Sequence, residues 1–383
     1  MVENIQKPIY FDHASTTPLN KDVLQDMLPY LTTIYGNASS LHSIGRDAVK
    51  GLDEARDKIA KIINAKADEI YFTSGGTESN NWAIKGSFLA RGNKNKIVTT
   101  TIEHPAVLNA INSLKDFNIE IVKIPPKANG IVSVEDFSKA IDENTFLTCC
   151  MFANNEIGTI EPIKEICKIA KNKGSLFFTD AVQYIGHNEI DVKNLNVDML
   201  SASAHKFNGP KGVGFLYIKN SIKLKTLLNG GHQERNRRGG TSNVAGAIGM
   251  AKALELTRIN LDKDSDYVLN LKNTFINRVL NEIDIAFLNG DKTMRLQNNA
   301  NITFKGIDGD NLLYLLDLNG ICASTCSACS AGSIEPSYVL TEIGLSEKDA
   351  KSSIRFTFSK ENTLSEVNYC VDTLKNIISS LKK

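Results

Sequence analysis

Short apolar runs alternate with segments of helical period through the middle of this chain, and that alternation leaves few folds open. Residues 97–101, 119–124, 147–153, 176–179, 199–203 and 213–218 have the length and apolar character of buried strands. Residues 106–114 and 163–171 carry apolar side chains at helical spacing between them. Earlier stretches at 23–31, 49–63 and 78–89 do the same. Parallel strands cannot be joined by a tight turn; they need a crossover, usually a helix whose apolar face covers the sheet. The pattern therefore predicts an α/β domain with a mostly parallel sheet.

After about Leu256 the pattern changes. A lysine- and asparagine-rich helical stretch at 263–280 precedes an isolated strand at 301–304 and a helix at 310–318. A strand at 353–358 and a helix at 364–381 follow, which predicts a smaller α+β domain. We expect residues 13–257 to form the large domain, and 1–12 with 258–383 the small one. A chain of 383 residues can bury a sizeable core, so neither disulfides nor a metal is needed for stability. The 44 Lys and Arg against 43 Asp and Glu leave no basic excess for a nucleic-acid backbone, and no direct nucleic-acid partner is expected. No apolar run approaches a membrane span, and MVENIQKPIYF lacks the order of an export signal. Seven cysteines in that setting read as thiols, so a cytoplasmic protein is expected.

Polar residues at the ends of apolar strands are the candidates for chemistry. Asp180 directly follows the run at 176–179; its carboxylate needs a partner, which a protonated ring nitrogen or a capped helix would supply. Lys206 lies in SASAHKFNGPKGVGFLY, where a partly apolar pocket would favour the neutral amine that reacts with aldehydes. A solvated loop lysine is the alternative. Gly75, Gly76 and Thr77 precede a helix and offer N–H groups and a hydroxyl to a phosphate, or simply cap that helix. His104, in TIEHPAV, is suited to stacking on a planar ring, to moving protons or to a structural hydrogen bond. Asn154, Asn155 and Glu156 either read a small polar ligand or shape a turn. Cys322, Cys326 and Cys329 admit three readings: metal thiolates, a redox pair, or one nucleophile on a loop. A single C-x-x-C without a nearby histidine is a poor zinc pattern. Cys149 and Cys150, inside an apolar run, read as inert core thiols.

The blocks GNASSLHSIG, FTSGGTESNN, TIEHPAV, NNEIGTIEPI, DAVQ, SAHKFNGPKGVG, RRGGTSNV and SACSAGSIEPSYVL stand in this order between Tyr10 and Thr363. On them the chain resembles the cysteine desulfurases of the nitrogen-fixation and iron–sulfur-assembly type, within the class V branch of aminotransferase-fold enzymes. The resemblance implies fold type I and a pyridoxal 5'-phosphate cofactor joined to Lys206 as a Schiff base. Asp180 would pair with the pyridine nitrogen, His104 would stack over the ring, and Gln183 would hydrogen-bond its phenolic oxygen. Thr77, Ser203 and His205 would hold the phosphate, with Gly76 near its cradle. Thr241 would reach the phosphate across a homodimer interface. Arg355 would clamp the carboxylate of L-cysteine, assisted by Asn155. Cys329 matches the nucleophile that takes the sulfur and hands it to an acceptor, such as an iron–sulfur scaffold protein. No resident metal is implied; Cys329 would at most ligate a transferred iron–sulfur cluster. The chain departs from the family at Cys326, where glycine is frequent, at Ala38, where proline is usual, and in RFTFSKENT after the arginine.

Three rivals stay open at this level. A selenocysteine lyase would share the same residues, and a class V aminotransferase would have no use for Cys329. A noncatalytic sulfur-relay or iron–sulfur scaffold protein would use Cys322, Cys326 and Cys329 but leave Lys206, Asp180, His104 and Arg355 unexplained.

Overall fold

Side chains along the apolar runs divide between two packed faces, and this makes the sheet. Phe177, Leu200, Phe215 and Tyr217 join one apolar cluster, while Phe178, Met199, Leu216 and Ile218 join another on the opposite face. Both faces are covered, so the strands read as unbroken apolar runs rather than as alternating ones. The computed structural model describes residues 8–325 and 335–381. Its main sheet has seven strands in the order Ile70–Thr73, Gly214–Ile218, Met199–Ser203, Leu176–Asp180, Thr145–Cys149, Lys96–Thr100 and Glu120–Ile124. From Met199–Ser203 to Glu120–Ile124 every pairing is parallel. Gly214–Ile218 runs antiparallel to both neighbours. Only residues 204–213 separate it from Met199–Ser203, and they hold a single 3-10 turn at Ala204–Lys206 instead of a crossover helix. Without a crossover the chain can only double back.

Several boundaries differ from the pattern-based ones. The strand predicted at 147–153 spans Thr145–Cys149. Beyond it the backbone turns aside, with Met151 N donating to Glu103 Oε1 at 2.8 Å and Phe152 N to the Asp180 carbonyl at 2.8 Å. The helix predicted from residue 49 begins at Ser43, because His42 Nδ1 accepts from Gly45 N at 3.2 Å and caps it. Ile70–Thr73 is a strand the periodicity did not reveal, a four-residue edge of the sheet.

The strand expected to stand alone at 301–304 is Asn299–Phe304, inside a four-stranded sheet between Ala286–Leu288 and Ser353–Thr357. Its companions Ala286–Leu288 and Ser324–Thr325 are too short to show any period. A separate apolar cluster backs this sheet, with Phe275, Phe304, Phe356 and Phe358 fully buried. Ile9–Tyr10 pairs in parallel with Ile321–Cys322 as a separate two-stranded sheet, and a bridge from Asp12 to Thr357 ties the start of the described chain to the four-stranded one. Val339, Leu340, Ile343 and Ala350 instead pack into the cluster of the main sheet. Among the described residues, no helix is long and apolar enough to cross a membrane.

Candidate active site

The parallel strands point their C-terminal ends to one edge of the sheet, and the polar residues noted above collect there. Asp180 and Ser203 are the last residues of their strands. Thr73 ends another, immediately before the Gly75–Gly76 turn. Asp180 and Ser203, together with Ala14, Gly76, Thr77, Asn80, His104, Asn155, Val182, Gln183, His205, Lys206 and Arg355, line a cavity of about 220 Å³.

One end of the cavity is built for an anion. Gly75 has φ +149° and ψ −174°, a conformation essentially reserved for glycine, and it aims the N-terminus of the helix Gly76–Ala90 into the cavity. A side chain at Gly76 would come within 2.8 Å of Val182 Cγ2, so backbone rather than side chain faces the ligand there. Thr77, Ser203 and His205 surround this end. Burial, reinforced by Lys206 and Lys211, pushes the His205 imidazole down to about 4. It is therefore neutral at neutral pH, and its Nδ1 lies 3.2 Å from Thr16 Oγ1.

The other end holds charges. Asp180 is buried; its Oδ2 accepts from Asn80 Nδ2 at 2.6 Å and its Oδ1 from Val182 N at 3.0 Å. Asn80 Oδ1 is itself buried with no partner among the described residues. Lys206 Nζ donates to the Ala14 carbonyl at 2.6 Å and the Ser15 carbonyl at 2.8 Å. Ala14 O also accepts from Gln183 Nε2 at 3.0 Å. His104 caps the helix Pro105–Asn112 by accepting Ala106 N–H on Nδ1 at 3.1 Å. Burial and the neighbouring Lys206 lower its ionisation, against the opposing pull of Asp180. A neutral ring that accepts at Nδ1 carries its proton on Nε2.

Arg355 enters from the second sheet and is buried in the strand Ser353–Thr357. Its Nη1 donates to the Asn155 carbonyl at 2.9 Å. Its Nη2 donates to Asp12 Oδ1 and to Ser15 Oγ, both at 2.8 Å. The structure thus brings Gly76, Thr77, His104, Asn155, Asp180, Gln183, Ser203, His205, Lys206 and Arg355 to one cavity. Thr241 is not among them; it is exposed and lines a separate cavity of about 140 Å³ beside Ser74 and Arg238. Cys326 and Cys329 lie outside the described residues. Cys149 and Cys150 are fully buried, which raises both thiols well above the ordinary value and keeps them unreactive. Asp12, Ala14, Ser15 and Asn80 were missed. Asp12 and Asn80 had a signal, as a charge directly after an apolar pair and an amide one helical turn beyond Thr77.

Two more carboxyls sit behind the cavity. Burial pushes Glu103 and Glu161 each up to about 8. The fold thus favours the neutral acid, so their contribution to stability is complete below the ordinary value of 4.5 and is lost as pH rises through about 8. Glu161→Gln cannot ionise and escapes its share, on the order of 5 kcal/mol over the whole range. Melting curves from pH 6 to 9 should show the wild-type Tm falling more steeply than that of Glu161→Gln. Equal slopes would mean that Glu161 is already ionised in the fold.

An anion cradle, a carboxylate fixed by an amide, and an amine fixed by two carbonyls fit a molecule bearing phosphate, a basic ring nitrogen and an aldehyde. Pyridoxal phosphate is such a molecule. No three His, Cys, Asp or Glu side chains among the described residues cluster so as to hold a metal ion. The family described as aminotransferase class-V matches residues 9–370. The chain is 48% identical over 379 residues to a protein of Dictyoglomus turgidum named cysteine desulfurase IscS, covering 99% of this chain and 96% of that protein. A protein of the same name from Methanosarcina thermophila is 46% identical over 382 residues, covering 100% and 94%. Among solved structures, a NifS-like protein superposes with a TM-score of 0.92 at 35% identity, over 97% of this chain and 99% of that one. The structure of SspA in complex with cysteine superposes with a TM-score of 0.83 at 35% identity, over 93% and 100%. The chain therefore belongs to the class-V aminotransferase family, and it is a pyridoxal phosphate-dependent enzyme of fold type I.

Proposed function

We propose that this enzyme is a cysteine desulfurase, converting L-cysteine to L-alanine and passing the sulfur through Cys329 to an acceptor protein. The observation that carries the reading is one cavity holding Lys206, Asp180, His104 and Arg355, in a chain 48% identical to a protein named for that activity. Pyridoxal phosphate, when bound, supplies an aldehyde that captures the substrate amine and a ring that takes up electrons from its α carbon. Asp180, held on both oxygens by Asn80 and Val182, would pair with the ring nitrogen. The Ala14 and Ser15 carbonyls hold the Lys206 amine at the cavity wall, where it is placed to take the α proton of the substrate. His104 presents an N–H at Nε2 and stays uncharged, so it can stack and donate a hydrogen bond without repelling Lys206. Arg355 takes the carboxylate and fixes which substrate bond lies across the ring. Thr77, Ser203 and His205 hold the phosphate.

Sulfur leaves by displacement. The Cys329 thiolate attacks the substrate sulfur, the S–S bond forms, and the bond from that sulfur to Cβ breaks with its electron pair going to carbon. Protonation of Cβ completes the alanine methyl group. The persulfide is then open to an acceptor thiol of the iron–sulfur pathway. A homodimer completes the site in this reading: Thr241 is exposed and away from its own cavity. Leu24, Leu28 and Leu31 lie exposed along one face of the helix Lys21–Thr32.

Alanine released from L-cysteine by the reduced enzyme, wild type beside Cys329→Ala, tests the proposal. Alanine from wild type with a loss of about 100-fold or more in Cys329→Ala is expected. Equal release by both proteins would leave the activity without its sulfur-accepting cysteine and return the lyase and aminotransferase readings.

A further inference from the structure

Seven non-glycine residues among those described have a positive φ. Asn64, Asn118, Asn196, Asn208 and Asn236 are asparagines, whose short side chain tolerates the left-handed region. Glu234 (φ 42°, ψ 45°) and Arg235 (φ 56°, ψ 45°) have no such tolerance, yet with Asn236 (φ 64°) they form one continuous left-handed turn. Residues of this kind persist there only when surrounding contacts over-determine them.

Those contacts centre on one strand, with Arg56 of the helix Ser43–Ile62 and the Asp68 carbonyl beside it. Arg56, buried, forks onto the Glu234 carboxylate at 2.8 and 2.9 Å, and the same carboxylate accepts Phe72 N–H at 3.0 Å. Arg56 Nη1 and Arg235 Nη2 both donate to the Ile70 carbonyl, at 2.5 and 2.8 Å. The Arg235 guanidinium lies 4.3 Å from the centre of the Tyr71 ring. Ile70–Thr73 is an edge strand, so its outward N–H and carbonyl need partners, and the turn provides them. The strand runs straight into the Gly75–Gly76 cradle. Two residues past the turn, Arg238 forks onto Glu78 in the first turn of the cradle helix, at 2.8 and 3.0 Å. Glu78 in turn accepts Ser74 N–H at 2.8 Å. Thr241 follows three residues later.

We infer that the left-handed turn Glu234–Asn236, clamped by Arg56, is a positioning device for the cofactor's phosphate: it fixes the Ile70–Thr73 strand, the Gly75–Thr77 cradle and the Arg238–Thr241 segment as one unit. This rests on the pyridoxal phosphate reading of the cavity. Glu234, Arg235 and Asn236 touch no cofactor in that reading; they act through the strand and through Arg238.

Asn236 gives the cleanest test because its side chain is exposed. Valine is strongly disfavoured at positive φ, whereas glycine adopts it freely. Equilibrium dialysis of the full chain against graded pyridoxal phosphate, with melting curves on the same samples, is the measurement. Asn236→Val and Glu234→Gln should raise the dissociation constant for pyridoxal phosphate about tenfold, and Asn236→Gly should stay within about twofold of wild type. Should Glu234→Gln fail to fold, the valine–glycine pair at Asn236 decides alone. A folded Asn236→Val with wild-type affinity would overturn the inference, as would equal weakening by valine and glycine. A lowered Tm at unchanged affinity would make the turn architectural only, and also overturn it. A wild-type chain that binds no pyridoxal phosphate would remove the cofactor reading itself, which separates the two failures.

Discussion

Lys206→Ala should release alanine from L-cysteine about 1,000-fold more slowly than wild type, or slower, with a Tm within a few degrees. In the proposed mechanism the side chain has two duties in the cavity, and one truncation removes both: it would be the amine that meets the aldehyde and the base that takes the α proton. The Ala14 and Ser15 carbonyls that hold Nζ at 2.6 and 2.8 Å leave little freedom for another group to take its place. Neither His104 nor His205 is a substitute base at the same point. His104 is committed to Ala106 N–H through Nδ1, and His205 faces Thr16 at the phosphate end. Alanine quantified from a timed incubation, beside a melting curve, settles it. A folded Lys206→Ala enzyme keeping a tenth of wild-type turnover would displace Lys206 from the mechanism.

Arg355→Lys should lower kcat/KM for L-cysteine about 100-fold, chiefly through KM. The arginine's fork satisfies three acceptors in a plane at once, the Asn155 carbonyl, Asp12 Oδ1 and Ser15 Oγ. That arrangement fixes the guanidinium before a carboxylate arrives, so little ordering remains to be done on binding. Lysine keeps the charge but presents a point donor on a flexible stem, and cannot serve the same three acceptors in one fixed geometry. Steady-state kinetics over a wide cysteine range separate the two constants. A loss confined to kcat, or a kcat/KM within threefold of wild type, would mean that Arg355 orders the cavity wall without holding substrate. Asp12 gives a second view of the same contact: its loss would free Nη2 and should raise KM without touching the phosphate end.

How much of this was legible before the fold was known depends on where each feature's information resides. The strands buried on both faces, such as Met199–Ser203 and Gly214–Ile218, stood out because continuous apolar runs have few other uses in an aqueous chain. Asp180, Lys206, His104 and the Gly75–Thr77 turn stood out for the converse reason, as polar or glycine positions at the ends of such runs. Ile70–Thr73 was invisible because an edge strand of four residues is too short for a period. The reversed direction of Gly214–Ile218 follows from a missing crossover helix, a feature the apolar runs alone do not record.

The sequence by itself determined the alternation that makes an α/β sheet, the reactive side chains after its strands, and the blocks that place the chain among the class-V enzymes. Only the tertiary structure decided which of those side chains share one cavity, and that Arg355 reaches it from a second sheet while Thr241 does not. It alone showed Lys206 held by the Ala14 and Ser15 carbonyls and the left-handed turn at Glu234 locked by Arg56. The reason is physical. Periodicity and local composition report what a residue meets within a few positions of itself. Backbone carbonyls are chemically alike in every residue, and a contact such as Arg355 with Asp12 joins positions that only the folded chain makes neighbours.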